Sequence, residues 1–232
     1  MRQIVLDTET TGLYPDKGDR IVEVAAIELF NRKVTDRRFH RYINPEREIG
    51  IEAERVHGLT LERLQDEPKF AEIAASLLEF ISGAELIIHN APFDIGFLDM
   101  ELRRMGLPPV SQHCPSVIDT LKQAKELHPG KKNNLDALCA RYEIDNSHRT
   151  LHGALLDTEL LGEVYLAMTR GQESLLGEEE ADEELATTWR GAQRPPVRVL
   201  RPAPDELAQH QQQLAEIDKA SKGKCLWLTQ TA

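Results

Sequence analysis

No apolar run in the sequence approaches the ~20 residues that a membrane span needs; the stretch 86–88 is only a strand's worth. The opening MRQIVLDTET lacks the apolar core of a secretory signal, so neither membrane insertion nor export is expected. Cysteine is scarce. Cys114, Cys139 and Cys225 are scattered, without the spacing of a metal knuckle or a redox pair. An odd number of isolated thiols suits a reducing compartment, and the expectation is cytoplasm. A surplus of base is also missing. The formal net charge is −11, which at first sight disfavours a nucleic-acid partner, because phosphates prefer a basic one.

The distribution of charge weakens that objection. Residues 171–232 hold 11 acids and 7 bases, and residues 1–170 hold 28 and 21. If four of those acids bind two divalent cations, the first segment falls to about −3, because a site's own ions belong in its charge. Acidity is then compatible with a nucleic-acid substrate that binds weakly without metal.

The 232 residues suffice for one good-sized domain with appendages. Strand-like and helix-like patterns alternate over 1–170. Residues 3–6, 20–30 and 37–43 read as strands, the second mostly apolar as in a sheet interior, the third reached by a turn near Asn31, Arg32 and Lys33. Short connections imply antiparallel neighbours. A helical period marks 70–81, through Phe70, Ile73, Ala74, Leu77, Leu78 and Ile81. Residues 85–89 and 117–119 read as strands; 94–105, 121–127, 135–142 and 154–168 read as helices. The expected fold is α/β, a mixed five-stranded sheet flanked by helices. After Thr169 the character changes. Seven acids and no base fall within 173–184, followed by the proline-rich RGAQRPPVRVLRPAP. Such composition buries little, so 171–204 is expected to be a flexible, extended linker. Residues 205–218 suit a helix, and 205–232 is expected to form a separate C-terminal segment.

The chemistry begins at IVLDTETTGL, residues 4–13. Asp7 and Glu9 lie two apart on a strand and so point to one face. Two like charges this close repel unless a cation joins them, and carboxylates are hard ligands suited to magnesium or manganese. Alone, D-x-E is equally a solvated strand end. HNAPFDIGFL, from His89, puts Asp94 in a helix's first turn, where a carboxylate also complements the helix dipole. LHGALLDTELL, from Leu151, puts His152 just ahead of a helix and Asp157 inside it, between Leu156 and Leu160, an apolar setting that argues against mere exposure.

D-x-E-T-T-G, H-N-x-x-F-D and H-x-x-x-x-D, in that order, resemble the motifs of the DEDD exonucleases of the ribonuclease H-like superfamily. The histidine five residues before the last aspartate marks the histidine branch; the tyrosine branch would carry a tyrosine where Gly153 stands. All of 1–170, including VHG at 56–58 and NNLDALCARYEIDNSHRTLHGALLD at 133–157, resembles the proofreading 3′→5′ exonuclease subunits of bacterial DNA polymerase III. The resemblance implies that Asp7, Glu9, Asp94 and Asp157 bind two divalent cations, Mg²⁺ or Mn²⁺, and that His152 is the general base. It implies substrate contacts at Asp7, Glu9 and Asp157, and to the terminal nucleotide at Glu52 and His57, with main-chain groups of residues 8–12 in the same pocket. Two cations about 4 Å apart can serve both ends of an in-line displacement at phosphorus, releasing 5′-mononucleotides from single-stranded or frayed DNA 3′ ends.

In the tail, Gln172, Ser174, Leu175 and Leu176 resemble the short peptides by which polymerase-associated proteins hold the sliding clamp. Leu226, Trp227 and Leu228 form an apolar cluster in a polar tail; exposed apolar residues there imply a partner, and the resemblance points to the polymerase alpha subunit, with a small third core subunit also compatible. A stand-alone RNA-trimming exonuclease of the same fold, and a non-catalytic tether between polymerase and clamp, remain alternatives. The first has no need of the tail, and intact ligands argue against the second. The loop LYPDKGDR and the segment MGLPPVSQHCPSV follow no pattern that assigns them.

Overall fold

The computed structural model describes residues 1–149, 151–170 and 202–229. The chain divides into two units, Met1–Leu176 and Gly177–Ala232.

In the first unit β1 (Arg2–Thr10), β2 (Ile21–Phe30) and β3 (Lys33–Tyr42) form an antiparallel meander. β4 (Glu85–Ile88) pairs in parallel with β1, and β5 (Val117–Asp119) in parallel with β4. The order β3-β2-β1-β4-β5 is the expected mixed five-stranded sheet. β2 and β3 meet through Asn31 and Arg32, both at positive φ (48° and 61°), the backbone of a two-residue turn whose twist matches the flanking strands.

Two elements depart from expectation. β1 does not stop at Leu6 but runs on to Thr10, because its pairing with β2 continues through Asp7↔Ala25 and Glu9↔Glu23 before the register slips at Thr10↔Ile21. The stretch between β3 and residue 70, for which the sequence suggested no element, forms helices α1 (Ile51–His57) and α2 (Leu61–Leu64). Only His57 is buried in α1, so no apolar stripe announces it. The helix ends where Gly58 takes the left-handed conformation, φ +70°, which glycine adopts without a Cβ clash.

The remaining helices are α3 (Phe70–Ile81), α4 (Ala91–Arg104), α5 (Thr120–Leu127), α6 (Leu135–Tyr142) and α7 (Ala154–Met168). α4 starts before the expected position 94, with Pro92 in its first turn, where a missing N–H costs nothing. They cover both faces of the sheet. Ile4, Leu6, Val24 and Ala26 pack with α3 and α4, and Val5, Ile27 and Ile87 pack with α6 and α7. β1, central in the sheet, therefore reads apolar at consecutive positions.

In the second unit α8 (Pro204–Ala220) and the short α9 (Leu226–Thr229) are described. α8 has no buried residue, and Trp227 is 72% exposed. Gln172, Ser174, Leu175 and Leu176 lie outside the described residues.

Candidate active site

Parallel pairing of β1, β4 and β5 brings three strand ends to one edge of the sheet. Asp7 and Glu9, the His89–Asn90 step and Asp119 all lie there. Crevices outside the carboxyl ends of strands are the usual ligand sites of such sheets. Alternation along β1 then sorts the side chains. Thr8 shares the face of Leu6, toward α4, while Asp7 and Glu9 share the face of Val5, toward α7.

Each face delivers one more carboxylate. Asp94, in the first turn of α4, is buried and accepts at Oδ1 from the Thr8 hydroxyl (2.6 Å) and the Thr8 N–H (3.1 Å). Asp157, in the first turn of α7, is also buried. Glu9, His152 and Asp157 each offer a ligand atom, all within 4.8 Å of one another. Asp7, Glu9, Asp94 and Asp157 also feel one another electrostatically. Burial holds the Asp7 carboxyl well above the usual range, and Asp94, Glu9, Asp157 and Glu23 add to it in that order. Burial, then Asp157 and Glu23, push Glu9 up to about 8. Asp94 rises to about 7 through burial, against the Thr8 hydrogen bonds that favour its charged form. A set of carboxylates that resists ionisation near neutral pH, with oxygen donors converging beside an imidazole, suits a hard divalent cation, whose charge removes the conflict.

Asp157 is the exception, and Arg149 is the reason. Burial raises Asp157, but the hydrogen bonds from Arg149 outweigh it, and its pKa is lowered. Arg149 donates from Nε to Oδ1 (2.6 Å) and from Nη2 to Oδ2 (2.7 Å). Nη1 reaches Asp136 (2.6 Å), and Nη2 reaches His152 Nδ1 (2.8 Å). A guanidinium only donates, so Nδ1 accepts and a neutral ring carries its proton on Nε2. His152 is itself half exposed, with its N–H bonded to the Val56 carbonyl (3.0 Å).

Glu23 sets α7 in place. This buried carboxylate, opposite Glu9 across the strands, accepts from the Ala154 N–H (3.2 Å) at the first residue of α7 and lies 2.7 Å from His40 Nε2. It fixes the helix that carries Asp157. Neither Arg149 nor Glu23 stood out in the sequence. The available signals were two acids, Glu23 and Glu28, inside the otherwise apolar RIVEVAAIELF and a base just ahead of an apolar helix.

Beyond Glu9 opens a cavity of about 700 Å³, lined by residues from Thr8 to Leu13, by Ile51, Glu52, Val56 and His57 of α1, and by Phe93. Gly12 sits on its wall; a Cβ there would fall 2.4 Å from the Asp19 carboxylate. His57 is buried, and both ring nitrogens serve the main chain: Nε2 meets the Thr10 carbonyl (3.2 Å), and Nδ1 accepts from Leu59 N–H (3.0 Å). Burial lowers its pKa. His57 therefore shapes the wall with its ring. Glu52 is exposed at the rim and pairs with Arg55 at 2.6 Å.

The family described as RNase_T, exonuclease, matches residues 4–165, a span that contains all four carboxylates and His152. The chain is 47% identical to DNA polymerase III subunit epsilon of Pasteurella multocida over 97% of its own length and 93% of that protein's. It is 48% identical to the Escherichia coli subunit over 97% of each. The chain belongs to the DNA polymerase III epsilon subunit family. It is a 3′→5′ exonuclease of the proofreading kind, as its motifs led one to expect. Among solved structures, Exonuclease X in complex with 5′ overhanging duplex DNA aligns with a TM-score of 0.55 at 25% identity, over 72% of this chain and 90% of that one. An E. coli exonuclease I–single-stranded DNA complex aligns at 0.65 and 20% identity, over 81% and 45%, a likeness of fold. No described helix is long and apolar enough to cross a membrane.

Proposed function

We propose that Asp7, Glu9, Asp94 and Asp157 hold two divalent cations, Mg²⁺ or Mn²⁺, and that with them this chain hydrolyses the 3′-terminal phosphodiester of single-stranded or frayed DNA during replication, releasing 5′-mononucleotides. The observation that supports the reading is the approach of Glu9, His152 and Asp157 to within 4.8 Å of one another, with Asp7 and Asp94 buried and electrostatically linked to them and Glu9 and Asp94 pushed up to about 8 and about 7. When bound, the cations polarise the phosphoryl group and stabilise charge on the attacking and leaving oxygens.

The chain's own groups do the rest. Thr8 orients Asp94 before any ligand arrives. The terminal nucleoside enters the cavity between the 8–13 segment and α1, with Ile51, Val56 and Phe93 against its apolar surface and Glu52 at the rim. His152 takes the proton of the attacking water as general base. It does so once Arg149 leaves Nδ1, because the ring has no free lone pair while that bond stands. The P–O3′ bond breaks as the new P–O bond forms, and the 3′ oxygen takes a proton from solvent to leave as a hydroxyl. A paired terminus must be melted to enter; mispairs melt at lower cost, which gives selectivity without base reading.

Residues 1–170 act as the nuclease, 171–204 as a joining segment with its clamp-binding peptide at Gln172, Ser174, Leu175 and Leu176, and 205–232 as the part that holds the polymerase alpha subunit through Leu226, Trp227 and Leu228. The exposure of Trp227 supports the last assignment. Tethering raises the nuclease's effective concentration at the primer end. Three free cysteines and the replication relatives support a cytoplasmic setting.

The test compares the full chain with one ending at Thr169, each mixed with a polymerase catalytic subunit. Both forms should trim a mismatched primer in Mg²⁺, and only the full chain should co-elute with the polymerase. Absence of trimming by either form removes the nuclease assignment, and co-elution of the short form removes the role given to the tail.

A further inference from the structure

Between β5 and α6 the surface turns basic, in a chain whose net charge is −11. Lys122 and Lys125 on α5, and Lys131 and Lys132 in the loop that follows, are all exposed. Glu126 is the one acid between Asp119 and Asp136. Among the described residues none of the four lysines enters a salt bridge. Arg2, Arg20, Arg37 and Arg149, by contrast, are each tied to a buried carboxylate.

A lysine-bearing surface is ordinarily just solvated. This one is built onto the site at both ends. The Asp119 carboxylate caps α5 through Leu121 N–H (3.0 Å) and Lys122 N–H (3.2 Å), and with the same oxygen accepts from Asn90 N–H (3.2 Å), at the residue that opens the Asp94 helix. His89 bonds Thr120 at 3.0 Å and also the main chain of Asn133. Asn133, buried in turn, donates to the carbonyls of His128 (3.3 Å) and Lys131 (3.1 Å). Arg141 holds Asn133 Oδ1 (3.0 Å) and the Lys132 carbonyl (2.7 Å). The loop backbone is thus fixed from within while its two lysine side chains project outward. One residue past Leu135, Asp136 pairs with Arg149, which clasps Asp157. The strip begins at the residue that caps α5 and also holds the start of the Asp94 helix, and it leads into α6, whose Asp136 pairs with the arginine that clasps Asp157.

We infer that Lys122, Lys125, Lys131 and Lys132 hold the phosphodiester backbone of the substrate strand upstream of its 3′ end. The inference rests on the exonuclease reading of the site. Four carboxylates repel an approaching polyanion; fixed positive charges beside them let the strand settle in the right place. Ammonium groups on flexible stems recognise charge and not base identity, as an enzyme acting at any 3′ end requires.

The experiment measures KM for a dinucleotide and for a twelve-residue single strand, in full-length chain, in the Lys122→Gln/Lys125→Gln/Lys131→Gln/Lys132→Gln variant, and in the corresponding four-arginine variant. In the unaltered chain KM should fall about tenfold or more from the short to the long substrate. The glutamine variant should lose most of that fall, and the arginine variant should keep it. The logarithmic salt dependence of KM for the long strand should flatten in the glutamine variant by ~0.7 for each phosphate contact removed. A glutamine variant with unchanged length dependence and salt slope overturns the assignment. So does one with an equally raised KM for both substrates, because the lysines would then act through the site and not along the strand. Failure of the unaltered chain to hydrolyse either substrate removes the exonuclease reading and this inference with it, and is distinguishable from both.

Discussion

Arg149 and Asp157 are joined by two parallel N–H···O bonds of 2.6 and 2.7 Å, with both side chains almost fully buried. The guanidinium is thus the counter-charge of a carboxylate proposed to hold a metal, and it also covers Nδ1 of the proposed base. It balances the site in the absence of cations and competes with them when they arrive. Arg149→Gln should lower the metal-free thermal midpoint by about 5–10 °C, from the cost of breaking a buried pair in a chain of this size. With saturating Mn²⁺ the difference should shrink to less than half, because the cation replaces the lost charge. Calorimetry with and without Mn²⁺ measures this; equal losses in both conditions would show that Arg149 is only structural.

Thr8 supplies two of the bonds that orient Asp94. Thr8→Val removes the hydroxyl bond at 2.6 Å and keeps the N–H bond. A hydrogen bond to a charged group contributes about 1.5–3 kcal/mol, and loss of an outer partner of a metal ligand typically weakens metal binding about 10–100-fold. Mn²⁺ titration should show that weakening with the fold intact by circular dichroism. An affinity within twofold of the original chain would remove the positioning role.

The raised carboxyls give stability a pH dependence of definite sign. Glu9 and Asp94 have folded-state pKa values of about 8 and about 7, above the ordinary carboxylate range, with Asp7 shifted the same way. Between the unfolded and folded values the native state binds more protons than the unfolded one, so stability falls as pH rises. Their contribution is fully present below about pH 4 and is lost as pH climbs through 7 to 8. The metal-free midpoint should therefore drop from pH 5 to pH 8.5. Saturating Mg²⁺ should flatten the dependence and stabilise most at the alkaline end. A metal-induced shift that is constant across this range would contradict the shared-carboxylate account.

Glu9→Gln separates function from stability. The substitution deletes a ligand and a like charge together. Exonuclease activity should fall by roughly 10³-fold or more, while the metal-free chain at pH 8 becomes more stable than the original. Steady-state kinetics and denaturant titration on one preparation test both. A variant that loses activity and stability together would indicate that Glu9 holds the fold and not the cations.

The sheet was legible because its central strands β1, β2 and β4 are apolar on both faces and a polar turn at Asn31 and Arg32 joins β2 to β3. The long helices were legible from their buried stripes, as in Phe70–Ile81. α1 was not, because its one buried residue, His57, leaves no period to read. The reach of β1 to Thr10 was missed because acids normally end strands, and here the partner strand continues beside them. Of the site, the residues proposed as ligands were visible as motifs. Arg149, Glu23 and the orienting hydroxyl of Thr8 were not, because a side chain's role as a partner depends on what folding places next to it. The expected nucleotide contact of His57 becomes a role for its ring, since both nitrogens are bonded to the main chain.

Glu23 and Ala154 bond across 131 residues, and Thr8 and Asp94 across 86. Cutting power therefore belongs to no short piece of this chain. A polypeptide still emerging from the ribosome displays its acids singly in water, where each grips a cation weakly, and becomes able to degrade DNA only after α7 closes against β2. A proteolytic nick that frees that helix should disarm the enzyme at once, whereas a cut beyond Thr169 leaves every one of these cross-chain bonds in place.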